Sequence, residues 1–218
     1  MTKHHKLPES QLEGFREFWA VRPTRKRGGC SLYVSHNITV LKHETFSNEH
    51  CGVVMAKLKE LNCLRLSLYR PPDAPVLAFE ETVQTVRSWL EGEDCEITLK
   101  GDFNMPQLGT WEEIEVDLLH QRAKKRETQE AQEGYQTKSA MIWLELVEEY
   151  GLHQIIKENT RKENILDLFW TNSAFPRRAR VQNNVLLSDH NMIMADFAIT
   201  KEEEEREEIT NPYSTKID

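Results

Sequence analysis

Residues 95–104 read Cys-Glu-Ile-Thr-Leu-Lys-Gly-Asp-Phe-Asn, and this stretch, CEITLKGDFN, decides how the rest of the chain is to be read. Its first half alternates as a strand does, and it breaks at Gly101, where the chain can turn and a ligand can come close to the backbone. Asp102 and Asn104 are two residues apart. If the strand runs on through them, a carboxylate and an amide share one surface while Phe103 points to the other. Such a pair suits a hard, oxygen-seeking cation or an activated water. Gly, Asp and Asn are also the commonest turn residues, so this stretch alone is equally a plain strand-to-loop turn.

Working outward, residues 30–69 contain four short β-rich runs, CSLYVS, NITVLKH, GVVMAKL and CLRLSLY, separated by polar turns, the pattern of an antiparallel meander. The last ends at Tyr69-Arg70-Pro71-Pro72, which presents a phenol beside a guanidinium, both able to hydrogen-bond a phosphate. From Val76 to Leu90, apolar residues fall at helical spacing up to Gly92, and Met141, Leu144, Val147 and Leu152 mark a second amphipathic helix up to Gly151. Two further apolar runs, ILDLFWT and NMIMADFAI, close the core as strands. In the first, Asp167 lies opposite the faces used by Leu166 and Leu168, and an ionised carboxylate in that setting needs a cation or a strong donor. Immediately before the second stands Ser188-Asp189-His190, an imidazole that a carboxylate such as Asp167 could orient toward a phosphoryl oxygen.

Composition narrows the classes. The 218 residues are 39% hydrophobic and 29% charged, enough for one sizeable core with tails, and no run approaches the ~18 apolar residues needed to cross a bilayer. No membrane partner and an intracellular location are expected. The four cysteines lie in apolar runs without CxxC spacing and read as buried thiols. Net charge is −8, half of it carried by residues 201–218, an acidic tail. Basic clusters at Arg22, Arg25, Lys26 and Arg27, at residues 124–126, and at Arg177, Arg178 and Arg180 can neutralise phosphates locally or be ordinary solvated loops. The charged, weakly periodic stretch 111–138 reads as a variable insertion, and 1–13 as an N-terminal remnant before a domain spanning 14–200.

In order and spacing, RGGCSLYVSHNI, LYRPPD, LKGDFNMP, the GL…TR…ILDLFWTN block and LLSDHNMI together resemble the endonuclease/exonuclease/phosphatase superfamily. The YRPPD, LDLFWTN and SDH forms are most similar to the endonuclease domain of non-LTR retrotransposons. The resemblance implies an α/β fold, a two-sheet, four-layer sandwich of the DNase I-like type. It implies Mg²⁺ or Mn²⁺, a DNA substrate nicked at a phosphodiester, a reverse transcriptase domain in the parent polyprotein, and action in the nucleus. Asp102, Asn104, Asp167, His190 and Tyr69 take the catalytic places, Asp189 lies at the metal or the water, and Arg70, Asn104, Arg161, Arg177 and Arg178 contact phosphate or DNA. The family's pattern opens with a strand carrying an Asn and a second strand ending in a metal-binding Glu. Nothing upstream of Gly28 matches these, and Glu9 stands in a polar context. The resemblance therefore implies a domain lacking its first strands, with little Mg²⁺-dependent nicking. The same motifs also serve phosphatases and phospholipid phosphodiesterases, and a non-catalytic domain that binds DNA or protein through the old scaffold is the third reading.

Overall fold

The computed structural model describes residues 12–23, 28–109, 131–174, 176–183 and 188–197, with side chains omitted for 131–136 and 176–177. Its elements in chain order are β1 (Phe15–Val21), β2 (Gly29–Ser35), β3 (Val40–Ser47), β4 (Gly52–Leu58), β5 (Cys63–Tyr69), α1 (Val76–Leu90) and β6 (Glu96–Asp102). There follow a single-turn α2 (Pro106–Gly109), α3 (Ala131–Glu149), β7 (His153–Gln154), β8 (Asp167–Thr171), β9 (Pro176–Gln182) and β10 (Met192–Phe197). The central sheet has six strands in the order β3-β4-β5-β6-β8-β7. All its pairings are antiparallel except β5 with β6, which α1 joins as a crossover. The fold is α/β around a mixed sheet, as the sequence implied.

Both faces of this sheet are covered, which is why β4 and β5 are buried at nearly every position. On one face Phe79, Val83, Val86 and Leu90 of α1 and Trp143 and Val147 of α3 close on Met55, Leu66, Leu99, Leu168 and Trp170. Trp143 is its centre, with ring centroids 4.8 Å from Phe103 and 6.0 Å from Trp170. On the other face Leu32 and Val34 of the β1–β2 hairpin pack on Val54, Ala56 and Leu58. The β9–β10 hairpin reaches the same face through Phe197, stacked on Phe169 at 5.7 Å. Among the described residues the second sheet is therefore two separate hairpins.

Three local expectations change. The meander holds for β3, β4 and β5, but β2 turns back to pair with β1, a strand that periodicity did not reveal because Phe15, Glu17 and Trp19 all face outward. The basic run at Arg177, Arg178 and Arg180 is not a loop; it lies on β9 and pairs across to β10. The second helix begins at Ala131, inside the stretch 111–138 expected as an insertion, whose residues 111–130 lie outside those described, as do 1–11 and 198–218.

Gly101 is where strand pairing forbids a side chain. A Cβ there would meet the Leu68 carbonyl oxygen at 1.8 Å, so the parallel β5–β6 pairing at the sheet's functional end exists only because the residue is glycine. Gly101→Ala is expected to lower unfolding free energy by roughly 3 kcal/mol or more, read by chemical denaturation. A loss under about 0.5 kcal/mol would contradict that close approach.

Candidate active site

The site is a row across one end of the central sheet. Tyr69, the last residue of β5, is in register with Asp102, the last of β6, and Asp102 is in register with Asp167, the first of β8. Adjacent strands thus set a phenol and two carboxylates side by side on the face away from the helices. His190 comes from a distant segment and meets the row at Asp167, its Nδ1 2.7 Å from Asp167 Oδ2, in a pair whose side chains are about one-fifth exposed. With Nδ1 engaged by the carboxylate, Nε2 is left for a ligand. Asp102, Asp167 and His190 each offer a ligand atom within 4.8 Å of the others.

Like charges directly opposite on neighbouring strands repel. Burial first, and then the Asp167 carboxylate, push the Asp102 carboxyl up to about 6, against smaller opposing effects of His190 and of hydrogen bonding by Asn104. Tyr69 is raised as well, first by burial, while the Arg22 guanidinium works the other way. Arg22 is buried, its guanidinium 5.2 Å above the Tyr69 ring. Gly28 admits it, since a Cβ at Gly28 would lie 2.3 Å from Arg22 Nη2 and 2.8 Å from the Tyr69 ring, at a φ of +92° that favours glycine.

Asn104 is near the row for a different reason from the one its spacing suggested. The strand ends at Asp102, and Asn104 adopts φ +49°, so alternation no longer governs its side chain. Its backbone N–H donates to Asp102 Oδ1 at 3.2 Å and its amide Nδ2 donates to the Arg70 carbonyl at 3.0 Å, fixing the turn that presents the carboxylate. Arg70 is a correction. It is completely buried, with its guanidinium toward the carbonyls of Pro71, Ala74 and Phe103 and 5.4 Å over the Phe79 ring, so it cannot contact phosphate. A proline-bounded turn with three converging carbonyls needs a buried donor, and that need is invisible in a string of residues.

Asp189 is not brought into the cluster; its Oδ2 accepts from Arg161 Nε and Nη2 at 2.9 and 2.6 Å, and that contact holds its carboxyl below the usual range. Arg161 is correspondingly committed. Arg178 is exposed on β9 opposite Asp196, and the side chain of Arg177 lies outside those described. The residue that sequence reasoning missed is Thr160. Fully buried, its Oγ1 accepts from the N–H groups of Leu166 and Asp167 at 2.9 and 3.0 Å, and its carbonyl accepts from the Asn191 N–H at 2.7 Å. One threonine thereby ties the strand carrying Asp167 to the segment carrying His190. Its neighbour Arg161 drew attention as a charge, whereas Thr160 offered none.

Residues 63–194 match the endonuclease-reverse transcriptase family. The chain belongs to this family. Structural comparison finds the same fold in an endonuclease domain and in proteins of the endonuclease/exonuclease/phosphatase family. Of the chain, 87% aligns with 83% of the endonuclease domain of TRAS1, a telomere-specific non-LTR retrotransposon, at TM-score 0.57 and 16% identity. Mannosyl-6-phosphatase Bt3783 of Bacteroides thetaiotaomicron VPI-5482 aligns over 86% of this chain and 78% of its own, at TM-score 0.51 and 12% identity. The human Nocturnin catalytic domain aligns over 86% and 73%, at 0.51 and 14%. Likeness at such identities shows the fold alone. No protein among the curated sequences matches.

The cluster's chemistry suits a metal. Two carboxylates held together against their repulsion, beside an imidazole engaged through Nδ1 by one of them and with no thiolate in the cluster, fit a hard divalent cation better than a thiophilic one.

Because the folded-state pKa of Asp102 is raised, its ionised form costs stability above about pH 6, and the cost fades as pH falls toward the ordinary value of 3.8. Asp102→Asn keeps an oxygen for the Asn104 N–H and removes the charge. It is expected to stabilise the fold by about 1–3 kcal/mol at pH 8 and by almost nothing at pH 4, in denaturation at the two pH values. Equal effects at both would mean that Asp102 is neither buried nor set against a second carboxylate as described.

Proposed function

We propose that this domain hydrolyses a phosphodiester bond of DNA with the help of a divalent cation, Mg²⁺ or Mn²⁺, and leaves a nick. The observation that carries the reading is the row Tyr69, Asp102, Asp167 with His190 docked on its end. Asp102, whose carboxyl burial and the Asp167 carboxylate raise to about 6, stands where it would orient the attacking water beside the cation it would help to hold, and that cation would draw the carboxyl back to its ionised form. Tyr69 donates its phenolic hydrogen to a phosphate oxygen, with Arg22 beneath the ring adding positive potential. His190, held by Asp167, offers Nε2 to another oxygen and stabilises charge gathering on the phosphoryl group. Asn104 and Thr160 position these groups without touching substrate. When bound, the cation would be held by Asp102 and Asp167 and would neutralise developing charge on the phosphate.

Among the described residues only Asp102 brings a carboxylate to the cluster that is not already shared with His190. A hard cation with so few protein oxygens keeps most of its waters and binds weakly. Slow nicking at millimolar metal is the outcome expected of the chain with supercoiled plasmid, with a fall of roughly a hundredfold or more in Asp102→Ala and His190→Ala. Nicking indifferent to both substitutions, or faster hydrolysis of a sugar phosphate or a phosphoinositide than of plasmid, would overturn the reading.

A further inference from the structure

Strand β10 begins at Met192, so His190 stands ahead of the first ladder position and no strand pairing fixes its backbone. What brackets it is one tight turn, residues 159–164. On the C-terminal side of His190, the Asn191 N–H donates to the Thr160 carbonyl at 2.7 Å and the Asn191 amide Nδ2 donates to the Asn159 carbonyl at 3.1 Å. On the N-terminal side, Arg161 Nε and Nη2 both donate to Asp189 Oδ2, at 2.9 and 2.6 Å. The turn is itself tied across, since the Thr160 and Arg161 N–H groups both donate to the Asn164 carbonyl and the Asn164 N–H donates back to Arg161. Through the Thr160 hydroxyl it is fastened to the start of β8, which carries Asp167. His190 is therefore gripped on both flanks by the same piece of chain that anchors its carboxylate partner.

Magnitudes decide what the Arg161–Asp189 pair is for. Its side chains are 38% and 63% exposed, a setting in which an ion pair adds little to stability because water and salt screen it. Aim is a different matter. A displacement of about 1 Å in a group that acts on the reacting atoms can cost on the order of a hundredfold in rate. Two donors from one planar guanidinium fix the direction of the Asp189 carboxylate as well as its distance. The same contact keeps Asp189 out of the cluster: among the described residues, the carboxylates within ligand distance of His190 and of each other are those of Asp102 and Asp167.

We propose that Arg161 and Asp189 are positioning residues for His190. Held by Arg161, Asp189 fixes the backbone on the N-terminal side of the imidazole, so that Nε2 keeps its aim at the phosphate while Asp167 holds Nδ1, and Asp189 is not a ligand of the cation. This rests on the reading of His190 as a phosphate-binding group.

Four variants of the full chain separate positioning from metal binding: Arg161→Ala, Asp189→Ala, the two combined, and the conservative Asp189→Asn. Each alanine substitution should lower the plasmid-nicking rate at saturating Mg²⁺ by about tenfold or more, and the double variant should be no slower than the worse single one, because the two residues act only through each other. The Mg²⁺ concentration for half-maximal rate and the denaturation midpoint should stay those of the parent chain. Asp189→Asn keeps an oxygen for Arg161 and should retain roughly a third of the rate or more, which loss of a metal ligand would not allow. Independently of turnover, the His190 ring in Asp189→Ala should keep its proton on Nδ1 but lose the response of Nε2 to a DNA dinucleotide added without metal. A double variant slower by the product of the single effects, a raised Mg²⁺ requirement, or a midpoint that falls in step with the rate would overturn the proposal. If the parent chain nicks and depends on His190 while the Arg161 and Asp189 variants match it, the positioning role alone is wrong. If His190→Ala nicks as fast as the parent, the phosphodiester reading fails and the proposal falls with it.

Discussion

Asp102 and Asp167 stand directly opposite each other on neighbouring strands, two like charges at the end of a sheet whose interior is apolar. Left alone, that pair would drive one carboxyl to take up a proton or the strand ends to splay. The surroundings restrain it in both ways. Burial first, and then the Asp167 carboxylate, shift Asp102 toward the protonated form, and His190 sits against Asp167 and offsets part of the repulsion. The strand ends are meanwhile held by bonds that have nothing to do with charge. Thr160 anchors the start of β8, the Phe103 N–H donates to the Leu166 carbonyl at 3.0 Å, and the Arg70 N–H donates to the Asp102 carbonyl at 2.9 Å. The repulsion is stored in a frame stiff enough to keep it, which is a common way for a site to be prepared for a cation or a proton at some cost in stability.

The frame explains why residues far apart in sequence act as one site. Gly101 lets β5 and β6 approach closely enough for Tyr69 and Asp102 to share a register position, and Gly28 makes room for the arginine under Tyr69. Arg70, buried beneath the same corner, braces the turns after β5 and β6 through the carbonyls of Pro71, Ala74 and Phe103. The geometry of the candidate site thus rests on glycines, a threonine and a buried arginine as much as on its titrating groups.

Much of this was legible in the sequence. Alternation and helical spacing found β3 to β6, α1 and β8, and the order of the GDFN, LDLFWT and SDH segments pointed to one site, because each places a functional side chain at a strand end. What spacing could not supply was depth and partnership. Arg70 and Arg161 were both expected to contact phosphate or DNA, yet one is a core residue and the other is bound to Asp189. Asn104 was assigned to the right turn through a strand that ends two residues too early for the argument. Strand β1 escaped notice because its outward face carries Phe15 and Trp19, which blurs the alternation of a half-buried strand. Thr160 escaped because a hydroxyl that serves two backbone amides leaves no pattern in composition or charge.

The central claim is that Asp167 holds His190 by Nδ1 so that Nε2 is presented to a phosphate in the row beside Asp102. Long-range ¹H–¹⁵N spectra of the imidazole test it directly, in the chain and in Asp167→Asn, with and without a DNA dinucleotide and Mg²⁺. The account requires a proton on Nδ1 in the free chain, a shift at Nε2 on adding the dinucleotide, and loss of both in Asp167→Asn. A His190 ring whose signals are the same in the variant and indifferent to the dinucleotide would contradict it.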